Sequence, residues 1–70
     1  MDATVIQIES PEQERELRAR VTAPLPLDVA QALVAFACHA CGAVIGFTDL
    51  RIAVAGRSIA CHACGAPNAL

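Results

Sequence analysis

Residues 38–43, Cys38-His39-Ala40-Cys41-Gly42-Ala43, recur unchanged at 61–66 as Cys61-His62-Ala63-Cys64-Gly65-Ala66. Together they give C-x2-C-x19-C-x2-C, a spacing that reads as a zinc site. The physics is direct. Two thiolates separated by two residues reach one ion across a tight turn. Glycine after the second cysteine lets the backbone turn with positive φ. Backbone N–H groups at the turn then point at the sulfurs and offset their charge. Two such knuckles facing each other make a tetrahedral four-thiolate site.

Redox or disulfide chemistry competes for the same cysteines. Thioredoxin-like reactivity wants C-x-x-C at a helix N-terminus inside a larger α/β fold. Gly42 and Gly65 disfavour a helix there, and 70 residues are too few. A catalytic zinc keeps one ligand position open, whereas four thiolates fill the shell. The expectation is therefore a structural ion and no enzyme. His39 and His62 lie between the paired cysteines. They read as outward-facing knuckle tips, with an alternative-ligand role as the competing reading.

The C-x-x-C-G two-knuckle pattern resembles the zinc-ribbon superfamily over roughly residues 36–66. The resemblance implies two knuckles joined by a short antiparallel sheet. It also implies Cys38, Cys41, Cys61 and Cys64 as ligands of one structural Zn²⁺, with iron in a rubredoxin-like site as the minor alternative. It says little about function, because zinc ribbons occur in transcription factors, polymerase subunits, ribosomal proteins, phage regulators and structural inserts. This chain departs from the nucleic-acid-binding members in lacking basic and aromatic residues on its strands.

Outward from the knuckles, Val44-Ile45-Gly46-Phe47 is strand-like. Residues 50–54 and 57–61 flank Ala55-Gly56, which predicts a tight hairpin with Ile52 opposite Ile59 and Leu50 opposite Cys61. Before the first knuckle, residues 28–35 favour a short helix capped by Asp28. A strand through Leu33-Val34-Ala35-Phe36 fits the same apolar run, and periodicity does not separate the two. Thr22-Ala23-Pro24-Leu25-Pro26 excludes a helix and marks a boundary. This divides the chain into an arm, residues 1–26, and a ribbon domain, residues 27–70. Ser10-Pro11-Glu12-Gln13 is a capping-box signature for a helix over about 11–21, with Glu14–Arg18 and Glu16–Arg20 as i,i+4 pairs. Residues 3–9 read as a strand or extended arm.

The fold class expected is thus a small metal-stabilised α+β protein, a zinc ribbon with an N-terminal strand and short helix. Its core material is poor. The sequence is 56% hydrophobic, yet 15 of its residues are alanine and only Phe36 and Phe47 are aromatic. A chain this size usually needs a staple or a partner. Residues 1–35 carry three arginines against six acids, and residues 36–70 two against one. There is no lysine and no basic cluster, which disfavours nucleic acid as a partner. Arg51 and Arg57, with His39 and His62, are the candidate nucleic-acid contacts. The bland reading of the arginines is solvation, or compensation for the negative metal centre. Ile6, Ile8, Leu17 and Val21 are the candidate partner-docking residues. Met1-Asp2-Ala3 is followed by no basic or long apolar stretch, so the expectation is a reducing compartment, the cytoplasm or a virion. The function expected is a structural zinc-binding protein–protein interaction module within a larger assembly. The alternative is a nucleic-acid-binding regulator of transcription or translation.

Overall fold

Each C-x-x-C-G segment is the turn of its own β-hairpin. In the computed structural model, which describes all 70 residues, β1 is Thr4–Gln7, α1 is Pro11–Ala19, β2 is Val34–Ala37 and β3 is Val44–Thr48. A 3-10 turn, Arg51–Val54, precedes β4, Ser58–Ala60, and β5, Pro67–Ala69. The first knuckle joins β2 to β3 and the second joins β4 to β5, all antiparallel. The architecture is a small α+β fold of two antiparallel sheets and one short helix. No helix is long and apolar enough to cross a membrane.

The first sheet has the order β1-β2-β3 and is covered on both faces. That explains why Val34-Ala35-Phe36-Ala37 is an unbroken apolar run rather than an alternating one. Phe36 and Val34 pack with Leu27 and Ile45 from the first sheet's side and with Val54 and Ile59 from the second hairpin's side, together with Cys38 and Cys61. Ala35 and Phe47 pack on the opposite face with Leu17 of α1, Ala32 and Val44. The expected helix at 28–35 is not formed. The strand reading holds over 34–37, and Leu27–Val29 lies along β3 instead. Phe47 N–H donates to the Leu27 carbonyl and Val29 N–H to the Phe47 carbonyl, at 2.9 and 3.2 Å. Asp28 is taken by Arg18 rather than by a cap.

The expected hairpin between residues 50–54 and 57–61 is also corrected. Gly56 turns with φ 86°, as the tight turn requires, but β4 pairs with β5 and not with the segment before the turn. Ile52 is 78% exposed while Ile59 is buried, so they are not cross-strand neighbours. Val54 supplies the reason. It drops into the core beside Ile59, and this pulls residues 51–54 into a 3-10 turn.

Residues 1–26 do not form a separate arm. Strand β1 pairs with β2 along Thr4↔Ala37 to Gln7↔Val34. Upstream of it, Ala3 N–H donates to the Ala69 carbonyl and Ala69 N–H to the Met1 carbonyl, both at 2.9 Å. Residues 1–7 thus stitch one hairpin to the other. Helix α1 begins as its sequence dictates. Ser10 Oγ accepts from Gln13 N–H at 3.1 Å, Pro11 opens the first turn, and the Gln13 side chain binds back to Glu9 N–H and the Gln7 carbonyl. The Glu14–Arg18 pair forms, but Glu16–Arg20 does not. Arg18 also reaches Asp28 at 2.7 Å and the Val29 carbonyl at 2.7 Å, with its guanidinium 4.3 Å from the Phe47 ring centroid. The four residues expected to dock a partner serve the chain's own core. Leu17 is 6% exposed, and Ile6, Ile8 and Val21 pack around its cluster.

Candidate metal centre

The two knuckles have nearly the same local geometry, as their identical sequences require. In the first, Cys38 N–H donates to the Ala43 carbonyl at 2.8 Å and Gly42 N–H to the Cys38 carbonyl at 3.0 Å. In the second, Cys61 pairs with Ala66 at 2.9 Å and Gly65 with Cys61 at 2.8 Å. Ala40 N–H points at Cys38 Sγ and Ala63 N–H at Cys61 Sγ, each at 3.4 Å. Gly42 and Gly65 take φ of 80° and 78°. Nothing crowds a Cβ at either position, so the demand for glycine there comes from the backbone conformation alone.

This geometry brings all four sulfurs together, within 4.8 Å of one another. Cys38 and Cys64 Sγ are 3.6 Å apart, as are Cys41 and Cys61 Sγ. Four ligands at about 2.3 Å around a tetrahedral ion lie about 3.8 Å apart. The cluster therefore has the size and donor set of a four-thiolate site for one metal ion. Cys38 and Cys61 are buried, whereas Cys41 and Cys64 are exposed.

The sulfurs do not ionise alike. The backbone N–H of Cys41, then those of Ala40 and the Asn68 amide, pull the Cys38 thiol down to about 5 against the desolvation that opposes it. Cys61 is lowered by the N–H groups of Cys64 and Ala63. At Cys64 the Ala66 N–H favours the thiolate, but the neighbouring Cys38, burial, and the Cys41 and Cys61 sulfurs outweigh it and push the thiol up to about 12. Packed thiolates cannot all ionise without a cation among them. Metal loading at pH 7 is therefore expected to expel at least one proton, the one held at Cys64. Zinc affinity should fall about tenfold per pH unit per proton as pH drops, and more steeply below about pH 5, where Cys38 also protonates. Competition titrations at pH 5, 6, 7 and 8 measure this. A pH-independent affinity would contradict it.

The other predicted site residues lie outside the cluster. His39 is half-buried, with its Nε2 3.0 Å from the Pro67 carbonyl, and His62 is exposed. Arg51 and Arg57 are exposed and form no ion pair with any acid of the chain. Asn68 was not signalled by the sequence. It is fully buried, accepts His39 N–H at 2.9 Å and donates to the Ala66 carbonyl at 3.0 Å. One amide thus ties the first knuckle to the second hairpin beside the sulfurs. A polar residue two positions past a knuckle has no periodic signature, and the corresponding place in the first hairpin is Ile45.

No protein-family model, no curated protein and no solved structure matches this chain.

Proposed function

We propose that this chain is a structural zinc-binding module of the zinc-ribbon kind, built to make protein contacts within a larger assembly. The observation that carries the reading is the convergence of four sulfurs, two from each hairpin tip, in a cluster the size of one tetrahedral shell. Cys38, Cys41, Cys61 and Cys64 would hold Zn²⁺ in preference to iron, and the ion would fix one hairpin against the other. With four thiolates as ligands, no position is open to substrate, so the reading assigns no catalytic role.

The protein-contact part rests on surface chemistry. Leu50 and Ile52 are 56% and 78% exposed on the connector between the two hairpins. They flank Arg51 in sequence, and no acidic side chain of the chain pairs with that arginine. This connector replaces Ile6, Ile8, Leu17 and Val21, which the core uses, as the proposed contact surface. Light scattering on the zinc-loaded protein at low salt, with and without RNA or DNA, tests it. The expected result is a mass above 7.3 kDa that nucleic acid does not change and that the double variant Leu50→Ser, Ile52→Ser returns to the monomer. A monomer that shifts with nucleic acid would favour the regulator reading instead, with Arg51, Arg57 and His62 as its contacts.

A further inference from the structure

We propose that Cys41 and Cys64 are oxidation sites for hydroperoxides, and that each closes a disulfide with the buried cysteine of the opposite knuckle, Cys41 with Cys61 and Cys64 with Cys38. The inference uses the same four sulfurs as the metal reading and goes beyond it. Three observations carry it. First, a small oxidant in solvent reaches the exposed second cysteine of each knuckle and not the buried first one. Second, each exposed sulfur lies 3.6 Å from the buried sulfur of the other knuckle. Third, the knuckles are held together by more than an ion. Asn68 bonds the first knuckle to the second hairpin, and the Ala3–Ala69 and Met1–Ala69 hydrogen bonds join the two sheets. The opposite sulfur therefore stays within reach once the thiolates no longer bind a cation.

The chemistry balances with a hydroperoxide as the oxidant. With its proton gone, lost on zinc loading or given up to solvent in the stripped form, the exposed sulfur attacks one peroxide oxygen, the O–O bond breaks, and hydroxide (or alkoxide) leaves, giving a sulfenic acid. The buried thiolate then attacks that sulfur, the S–O bond breaks, and a second hydroxide leaves. Two electrons pass from the sulfur pair to the peroxide, and solvent protonates the departing oxygens. Sulfurs consumed in a disulfide no longer ligate, so oxidation exchanges an ionic link between the hairpins for a covalent one. A bond within a knuckle, Cys38–Cys41 or Cys61–Cys64, would leave the hairpins unlinked.

The arginines make the outcome readable. Trypsin cuts after Arg20, Arg51 and Arg57, which places Cys38 and Cys41 in peptide 21–51 and Cys61 and Cys64 in peptide 58–70. The full chain, prepared reduced, is assayed for bound zinc, treated with hydrogen peroxide in zinc-loaded and chelator-stripped forms, alkylated, and digested in denaturant without reductant. The expected product is peptide 21–51 joined to 58–70, with fragmentation placing the bonds at Cys41–Cys61 and Cys38–Cys64. Dithiothreitol should separate the peptides and restore zinc binding. The oxidised metal-free protein should also melt about 10 °C or more above the reduced metal-free protein. Unlinked peptides each about 2 Da lighter, or about 32 Da heavier from sulfinic acid, would overturn the proposal, as would Cys38–Cys61 and Cys41–Cys64 bonds. The zinc assay before peroxide tests the metal reading separately, because the sulfur pairing is also read in the stripped sample.

Discussion

Replacing Cys38 with serine is expected to cut zinc affinity sharply and to leave the protein much less stable than the zinc-loaded chain. Only 18 of the 70 residues are buried, and Phe36, Phe47 and Ile45 are the largest apolar side chains sealed from solvent. Such a core does not hold a domain of this size far from its unfolding midpoint. In the proposed reading a metal ion held by the four cysteines supplies the difference. Structural zinc sites bind with apparent free energies of about 10–16 kcal/mol, and in a protein of this kind binding is coupled to folding. Losing one of four ligands should weaken binding on the order of 10²–10³-fold. Cys38 is the most demanding of the four positions because it is also part of the core cluster, where it packs with Phe36, Ile59 and Cys61. Cys64→Ser, at an exposed sulfur, should lose metal to the same degree while disturbing packing less. Competition titration with zinc and circular dichroism check both. An unchanged zinc affinity with an unchanged spectrum in either variant would refute a structural four-thiolate centre.

The cysteine cluster and the start of the helix were legible in the sequence because both depend on fixed local spacing. Two residues between cysteines, a glycine after them, and Ser10 three positions before Gln13 each specify a geometry over a few bonds. The strand pairing was not legible for the opposite reason. Ala55-Gly56 marks a turn, and the turn is present, but a turn signal does not name the strand that pairs beyond it. Strands of three residues carry too little pattern to choose between partners. In the structure the knuckle makes the choice, since closing Cys61 onto Ala66 sets the register of Ile59 against Asn68. Arg18 shows a further limit. As a helix residue paired with Glu14 it reads as solvated surface, yet it lies over Phe47 and links α1 to the segment 28–30. Likewise the thin apolar stripe of Leu17 and Val21 suggests a helix waiting for a partner. The partner is the far face of the chain's own first sheet.

Deleting residues 1–9 is therefore expected to destabilise the whole domain rather than trim an appendage. The deletion removes β1, leaving the Val34–Ala37 edge of the first sheet unpaired. It removes both hydrogen bonds to Ala69, which join the sheets, and the Ile8–Leu33 bond beyond them. It also uncovers both faces of the core, because Ala3 and Val5 pack with the cluster containing the buried cysteines while Ile6 and Ile8 pack with Leu17. Partial burial of Val5, Ile6 and Ile8 alone stabilises the fold by roughly 1 kcal/mol each, or about 3 kcal/mol together. At about 4–8 °C per kcal/mol for a domain of this length, the melting temperature of the zinc-saturated protein should fall by at least about 12 °C. Since folding and metal binding are linked, zinc affinity should fall with it. A truncated protein that melts and binds zinc like the full chain would show that residues 1–9 are a detachable arm. It would also leave Asn68 and the shared core cluster as the links between the two hairpins besides the metal.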